Sequence, residues 1–374
     1  MQSSVPGRSV VALRRFPGSA RNRGPGRLLG VLVLAVTFGL GGCELEQPEM
    51  PDAPGDDAPG AEYGIVIHGG AGTIVRENMT AEREAAYHAS LEGALVAGYG
   101  VLEEGGSAVD AVIAAVRVME DDSLFNAGKG AVFTNEGTNE LDAAVMSGRD
   151  REAGAVAGVR NIRNPIELAR IVMDESPHVL LTGEGAETYA RQFGVEEVDP
   201  SYFYTEGRWE ALERAREADA AGRAERPGEN RMIGTVGAVA RDRNGDLAAA
   251  TSTGGMTNKR FGRVGDVPLI GAGTYASNES CAISATGHGE YFIRNVVARD
   301  ICARMEHIGE SLEEAAHALV MEKLVDHGGT GGVVGIDREG HITMTLNTPG
   351  MYRGYYLAGA EPFTAIYEDE GSGR

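Results

Sequence analysis

Three short runs made mostly of Ala, Gly, Val, Ser and Thr, at 153–159, 236–240 and 246–253, do most to limit the architecture. Each is bounded by Gly or polar residues and reads as a β-strand rather than a helix. Gly64–Ile67 reads as a further buried strand that runs into His68-Gly69-Gly70-Ala71-Gly72. Gly332–Asp337 and His341–Leu346 form a hairpin around Arg338-Glu339-Gly340. Helical signals alternate with these in blocks. Residues 81–104 have helical periodicity, and Ser107 with Asp110 resembles a capping box opening a helix through Val118. Asn164-Pro165 places Pro at a first helical position. Glu290–Glu306 reads as one strong helix, and Ser311-Leu312-Glu313-Glu314 caps another running to about Leu324. Strands, helices, strands, helices and a closing strand meander suit an α+β fold with sheets packed between helix layers, not an alternating βα chain. No internal repeat is seen. The halves 63–234 and 235–374 are interdependent in pattern and form one domain, with a polar, partly helical, exposed linker at about 204–230.

The first 42 residues do not belong to that domain. They hold six Arg and no acidic residue, followed by a 13-residue apolar run, Leu28–Leu40. That is shorter than the roughly 20 residues needed to span a bilayer and fits a secretory signal. The end of the run, Leu40-Gly41-Gly42-Cys43, resembles a bacterial lipobox, which makes Cys43 the expected lipidated N-terminus of the mature chain. Arg14-Arg15 is a poor fit to a twin-arginine signal. Residues 43–62 are rich in Pro, Gly, Asp and Glu and read as a flexible tether. The expected location is the cell envelope, as a periplasmic or outer-membrane lipoprotein that meets the membrane only through its lipid. Glu44 after Cys43 favours the outer membrane.

Without the leader the chain keeps 28 basic against 55 acidic residues, near −27. Such a surface argues against nucleic acid, because neutralising phosphates needs cations. Cys281 and Cys302 sit in apolar contexts. One disulfide is compatible with an oxidising compartment, but buried free thiols are the expectation.

Common catalytic motifs are missing: there is no His-Glu-x-x-His, no Gly-x-Ser-x-Gly and no phosphate loop at Gly128-Lys129-Gly130. Gly271-Ala272-Gly273-Thr274-Tyr275-Ala276 precedes a β-prone stretch rather than a helix, which disfavours dinucleotide binding. The chemistry centres instead on Gly234-Thr235. A threonine hydroxyl needs a base, and an α-amino group with a pKa near 7.7–8.0 can serve. Cutting between Gly234 and Thr235 would therefore create nucleophile and base on one residue. Thr253 lies within a polar run downstream and can hydrogen-bond the nucleophile. Arg263 offers a planar fork for a carboxylate, and Asp266 can receive an ammonium, a pair suited to the α-groups of an amino acid. Thr286-Gly287-His288-Gly289 supplies a hydroxyl and backbone amides for an oxyanion. His288 is expected to line the entrance or pack structurally, since this nucleophile needs no histidine.

These stretches, with Leu124-Phe125-Asn126-Ala127-Gly128 and Glu140-Leu141-Asp142-Ala143, resemble over Gly64–Tyr367 the plant-type L-asparaginases, or isoaspartyl peptidases, of the Ntn-hydrolase superfamily. The resemblance implies an αββα sandwich, self-cleavage into an α chain (63–234) and a β chain (235–374), and an (αβ)2 assembly. It implies hydrolysis of β-aspartyl dipeptides and L-asparagine without a cofactor for the chemistry. By the same resemblance Thr235 is the nucleophile assisted by Thr253. Arg263, Asp266, Gly287 and Gly289 hold the aspartyl end, Thr286 and Gly287 bind the oxyanion, and Asn126 faces the site. A structural sodium ion on the main-chain carbonyls of Met119, Glu120, Asp122, Phe125, Ala127 and Lys129 is also implied. Two other readings stay open: a glycosylasparaginase-like amidase, and a catalytically silent, lipid-anchored amino-acid-binding protein.

Overall fold

The computed structural model describes residues 60–222 and 234–371. The leader, lipidation at Cys43, most of the tether and the linker beyond 222 lie outside the described residues. Among the described residues no helix is long and apolar enough to cross a membrane.

Two sheets stack between helices. The larger runs, edge to edge, through β12 (Phe363–Tyr367), β11 (Gly350–Leu357), β1 (Gly64–Gly72), β5 (Val236–Arg241), β6 (Leu247–Thr253), β2 (Leu141–Ser147), β3 (Ala153–Val159) and β4 (Leu180–Thr182). Only the β3–β4 pair is parallel. The smaller sheet has the order β10 (Ile342–Leu346), β9 (Gly331–Asp337), β8 (Cys281–Gly287) and β7 (Thr274–Ala276). Helices α1 (Ala81–Glu103), α2 (Ala108–Glu120) and α3 (Pro165–Glu175) cover the outer face of the larger sheet, and α7 (Val297–Ile308) and α8 (Leu312–His317) cover the smaller one. Helices α4 (Gly183–Gln192), α5 (Glu206–Ala220), α6 (Gly289–Asn295) and the one-turn α9 (Leu324–Asp326) are the other α-helices among the described residues. The result is an αββα sandwich, as expected.

Strand alternation divides the side chains between two cores. Ile65 and Ile67 of β1 and Ala248 and Ala250 of β6 face the helical layer, where Leu91, Leu95 and Leu102 of α1 are fully buried. Each such leucine contributes roughly 1.5–3 kcal/mol. Val66, Leu247 and Ala249 face the second sheet and pack with Ile283, Val333 and Ile336. The alanines let the sheets approach closely, and between them runs the polar seam described below.

The caps form as expected. Ser107 Oγ accepts from Asp110 N at 3.1 Å, and Ser311 with Glu314 makes a reciprocal capping box. Beyond α8 the helix widens into a π-turn over Ala318–Lys323. The segment expected as an exposed linker contains α5, whose Leu212 is buried and whose Trp209 packs edge-on against Phe133, ring centroids 5.2 Å apart.

Two expectations fail. The single helix expected over Glu290–Glu306 is broken at Val296, which adopts φ 50° and separates α6 from α7. The amides of Ala298 and Arg299, in the first turn of α7, donate to the carbonyls of Ala272 and Gly271, so tertiary acceptors replace the intrahelical ones. Cys281 and Cys302 are not free thiols but a disulfide joining β8 to α7, with Cα atoms 5.5 Å apart. Their separation along the chain did not reveal that this helix lies across this strand.

Candidate active site

Thr235 heads β5, the strand between β1 and β6. Its neighbour Gly237 stands opposite His68 on one side and Thr251 on the other. Thr235 is buried, and its Oγ1 donates to Thr253 Oγ1 at 3.2 Å. Thr253, the last residue of β6, also reaches the Gly234 carbonyl at 3.4 Å and accepts from Gly255 N at 3.0 Å. The scissile dipeptide and its expected assistant are therefore in contact.

The approach to Gly234 demands small residues. Gly70 has φ 113°, and a Cβ there would come within 2.6 Å of Gly234 Cα and 3.1 Å of Thr235 N. Asn126 borders Gly234 as well. Its Nδ2 donates to the Gly255 carbonyl at 2.8 Å and its Oδ1 accepts from Val132 N at 2.9 Å, which secures the turn after Thr253. Thr286 is the penultimate residue of β8, with its Oγ1 accepting from Ala71 N at 3.3 Å.

Arg263 and Asp266 come together around Gly289. A Cβ on Gly289 would lie 2.8 Å from both Arg263 Nη2 and Asp266 Oδ1, so this backbone must be bare. Asp266 is buried and its Oδ2 has no hydrogen-bond partner among the described residues. Burial pushes its carboxyl up to about 6 against the pull of Arg263. An orphaned buried carboxylate oxygen is what a ligand ammonium would satisfy. Arg263 is engaged by Glu290, through Nε–Oε1 and Nη2–Oε2 contacts of 3.0 Å each. A hydrogen bond from His288 and the Arg263 fork hold the Glu290 carboxyl well below the usual range. His288 is buried, sits 3.1 Å from Glu290 and packs edge-on against Tyr291, in keeping with a packing role.

Several residues of the site escaped sequence reasoning. His68 Nδ1 donates to the Thr235 carbonyl and its Nε2 meets Ser284 Oγ, both at 2.9 Å. This assigns the proton to Nδ1, because the Thr235 carbonyl can only accept. Ser284 is 2.7 Å from Thr251 Oγ1, which in turn accepts from Thr274 Oγ1 at 2.7 Å. A buried polar thread thus crosses from the smaller sheet to the carbonyl of Thr235. Burial drives the His68 pKa down to about 3, so its imidazole is neutral and positions rather than titrates. Glu120 is wholly buried, accepts from Ser252 Oγ at 2.6 Å beside Thr253, and is pushed up to about 8 by desolvation. Lys259 is buried beside Gly255 and donates to the Glu140 carbonyl at 3.0 Å. The signals available were a lone His in a Gly-rich turn and hydroxyl residues in strands, both common in ordinary cores.

Residues 61–366 match the family described as asparaginase. The isoaspartyl peptidases of Salmonella typhimurium and Escherichia coli are each 52% identical to this chain, covering 82% of it and 98% and 97% of their own lengths. A probable isoaspartyl peptidase/L-asparaginase 2 of Arabidopsis thaliana is 42% identical, covering 82% of this chain and 99% of its own. With the αββα sandwich already in place, this match identifies the chain as a member of the asparaginase family, in its isoaspartyl peptidase (type III) branch of the Ntn-hydrolases.

Proposed function

We propose that the chain is a self-activating N-terminal-threonine amidohydrolase that hydrolyses β-aspartyl dipeptides and L-asparagine and releases L-aspartate. The observation that carries this reading is the contact of Thr235 Oγ1 with Thr253 Oγ1, beside the Gly234 carbonyl. In activation, Thr235 Oγ attacks the Gly234 carbonyl carbon and the peptide C–N bond breaks. Water then hydrolyses the resulting ester, leaving a Gly234 carboxylate and a free Thr235 amine. In turnover the same Oγ attacks the substrate's side-chain carbonyl and the amine takes its proton, then passes it to the leaving nitrogen as the C–N bond breaks; water hydrolyses the resulting aspartyl ester, releasing L-aspartate and restoring the Thr235 hydroxyl. Thr286 and the Gly287 amide stabilise the oxyanion. Arg263 receives the α-carboxylate in exchange for Glu290, and Asp266 receives the α-ammonium, with the bare Gly289 backbone between them. Nucleophile and base share one residue, so the chemistry calls for no cofactor. Thr235→Ala should run as a single unprocessed chain without activity on β-Asp-Leu or asparagine. A variant that still splits and hydrolyses would disprove the nucleophile assignment.

We also propose a structural sodium ion on the carbonyls of Met119 and Glu120, at the end of α2, and of Asp122, Phe125, Ala127 and Lys129 in the segment that follows. Side chains at Gly128 or Gly130 would run into the carbonyl oxygens of Glu120 and Phe125, so the glycines keep that cluster of acceptors open. Equal melting temperatures in sodium and tetramethylammonium chloride would count against it.

We further propose a lipid-anchored, envelope location and an (αβ)2 assembly. The Leu40-Gly41-Gly42-Cys43 leader and the Cys281–Cys302 disulfide support the former, since disulfides persist in oxidising compartments. Labelled palmitate should enter the full-length chain and not its Cys43→Ser variant, and the native mass after self-cleavage should equal two processed chains. A soluble, unlabelled wild type or a single-chain mass would contradict these readings.

A further inference from the structure

Helix α5 precedes the Gly234–Thr235 bond in the chain, yet it ends against the loop that delivers Arg263. It is pinned along its length. Arg208 Nε donates to the Gly130 carbonyl at 3.0 Å, Trp209 packs on Phe133, and Arg216 Nε donates to the Asn135 carbonyl at 3.1 Å. In its last turn, Asp219 Oδ2 accepts from Asn258 Nδ2 at 2.7 Å and from Arg260 Nη2 at 3.0 Å. A carboxylate can only accept, so this contact also fixes which way the Asn258 amide faces.

The loop so gripped is held against its own preference. Asn258 has φ 65°, Phe261 φ 59° and Gly262 φ 65°. Arg263 N donates to the Arg260 carbonyl at 3.1 Å, so Arg260–Arg263 is a tight turn with both central residues left-handed, as in a type I′ turn. Gly262 adopts that conformation freely and Asn258 tolerates it, but for a bulky residue such as Phe261 it is unfavourable. Packing does not hold Phe261 there, because it is 97% exposed. Polar anchors stand on either side of the turn instead, Asp219 on Arg260 and Glu290 on Arg263. When the substrate's α-carboxylate displaces Glu290 from Arg263, Asp219 keeps its hold.

We propose that Asp219 is a positioning residue for Arg263. By holding Asn258 and Arg260 it keeps the turn in its left-handed form and so presents the Arg263 guanidinium to the α-carboxylate of the aspartyl group. This deepens the hydrolase reading above and rests on it. In the processed enzyme the clamp joins the two chains, with Asp219 on one and Arg263 on the other. Asp219 takes no part in the attack by Thr235, so its loss should weaken substrate binding and spare both reactions of the nucleophile.

The test is steady-state kinetics of Asp219→Ala on β-Asp-Leu and asparagine, with L-aspartate as competitive inhibitor. KM for both substrates and Ki for L-aspartate should rise together by about 3- to 10-fold, the worth of a partly exposed charge-assisted contact, while kcat stays within about 2-fold and self-cleavage is complete. Asp219→Asn should recover part of the loss. Phe261→Asn supplies the Asn-Gly pair that favours this turn. Added to Asp219→Ala, it should bring KM and Ki back toward wild type, a rescue that a merely structural role for Asp219 does not predict. Arg260→Gln removes the pair from the other side and should give the same rise and the same rescue. Unchanged KM and Ki in either single variant, a fall in kcat alone, or a double variant as weak as the single one would overturn the proposal. A processed wild type inactive on both substrates would overturn the hydrolase reading instead; the Kd of L-aspartate, measured by calorimetry, then tests Asp219 in the same way.

Discussion

Asp266→Asn should make the protein more stable and less active at once. The Asp266 carboxyl is raised from 3.8 to about 6 by burial, a shift of about two units, or about 3 kcal/mol at ~1.4 kcal/mol per unit. Because the folded pKa lies above the unfolded one, the folded state holds the proton between pH 4 and 6 while the unfolded state has lost it. The wild type therefore loses this stability as pH rises through that window. The neutral amide carries no such dependence. Melting curves of the two proteins should lie close together near pH 4 and separate by up to about 3 kcal/mol at pH 7 and above, with the variant higher. For a domain of this size that is several degrees, at roughly 2–4 °C per kcal/mol. Meanwhile kcat/KM should fall about 10- to 100-fold, the worth of a hydrogen bond to a charged partner. In the wild type kcat/KM should decline below pH 6 as the carboxyl protonates. A variant less stable than wild type at pH 8, or one with undiminished kcat/KM, would refute the claim that this buried charge is kept for a ligand ammonium.

Other outcomes follow from the same geometry. Ser284→Ala removes one hydrogen bond from the thread that holds His68 against the Thr235 carbonyl. It should slow self-cleavage and lower kcat by about 2- to 10-fold with little change in KM, with partial rescue by Ser284→Cys. No new inflection should appear between pH 5 and 8, because His68 is neutral throughout; a shifted pH profile or unchanged cleavage kinetics would contradict a positioning role. Opening the Cys281–Cys302 bridge, which spans 21 residues of chain, should cost about 3 kcal/mol in urea unfolding. Reductant should reproduce that loss in the wild type and do nothing to a Cys281→Ala/Cys302→Ala double variant.

What could be read in advance was local. The Gly-Thr dipeptide, the Ser311–Glu314 capping box and the Arg338-Glu339-Gly340 turn each declare themselves within a few residues, because backbone conformation there is set by neighbours in the chain. β2 was legible only as part of a motif, since Leu141–Ser147 is short and Ala-rich without clear alternation. Val296 shows the opposite limit, where good helical periodicity over 290–306 gives way to carbonyls at Gly271 and Ala272 that only the folded chain brings near.

The sequence by itself determined which chemistry was available: a threonine that can become its own base, and a guanidinium and a carboxylate for an amino acid's charges. These are properties of residue types and of short spacings. Tertiary structure decided what each group does at rest. It gave the Arg263 fork to Glu290, left one Asp266 oxygen without a partner, and joined Thr235 to the second sheet through His68 and Ser284. It also set Arg208 against the loop that borders Gly234. Those outcomes depend on burial and on contacts between segments far apart in the chain, where desolvation and competing partners fix the energies, and no local pattern encodes them.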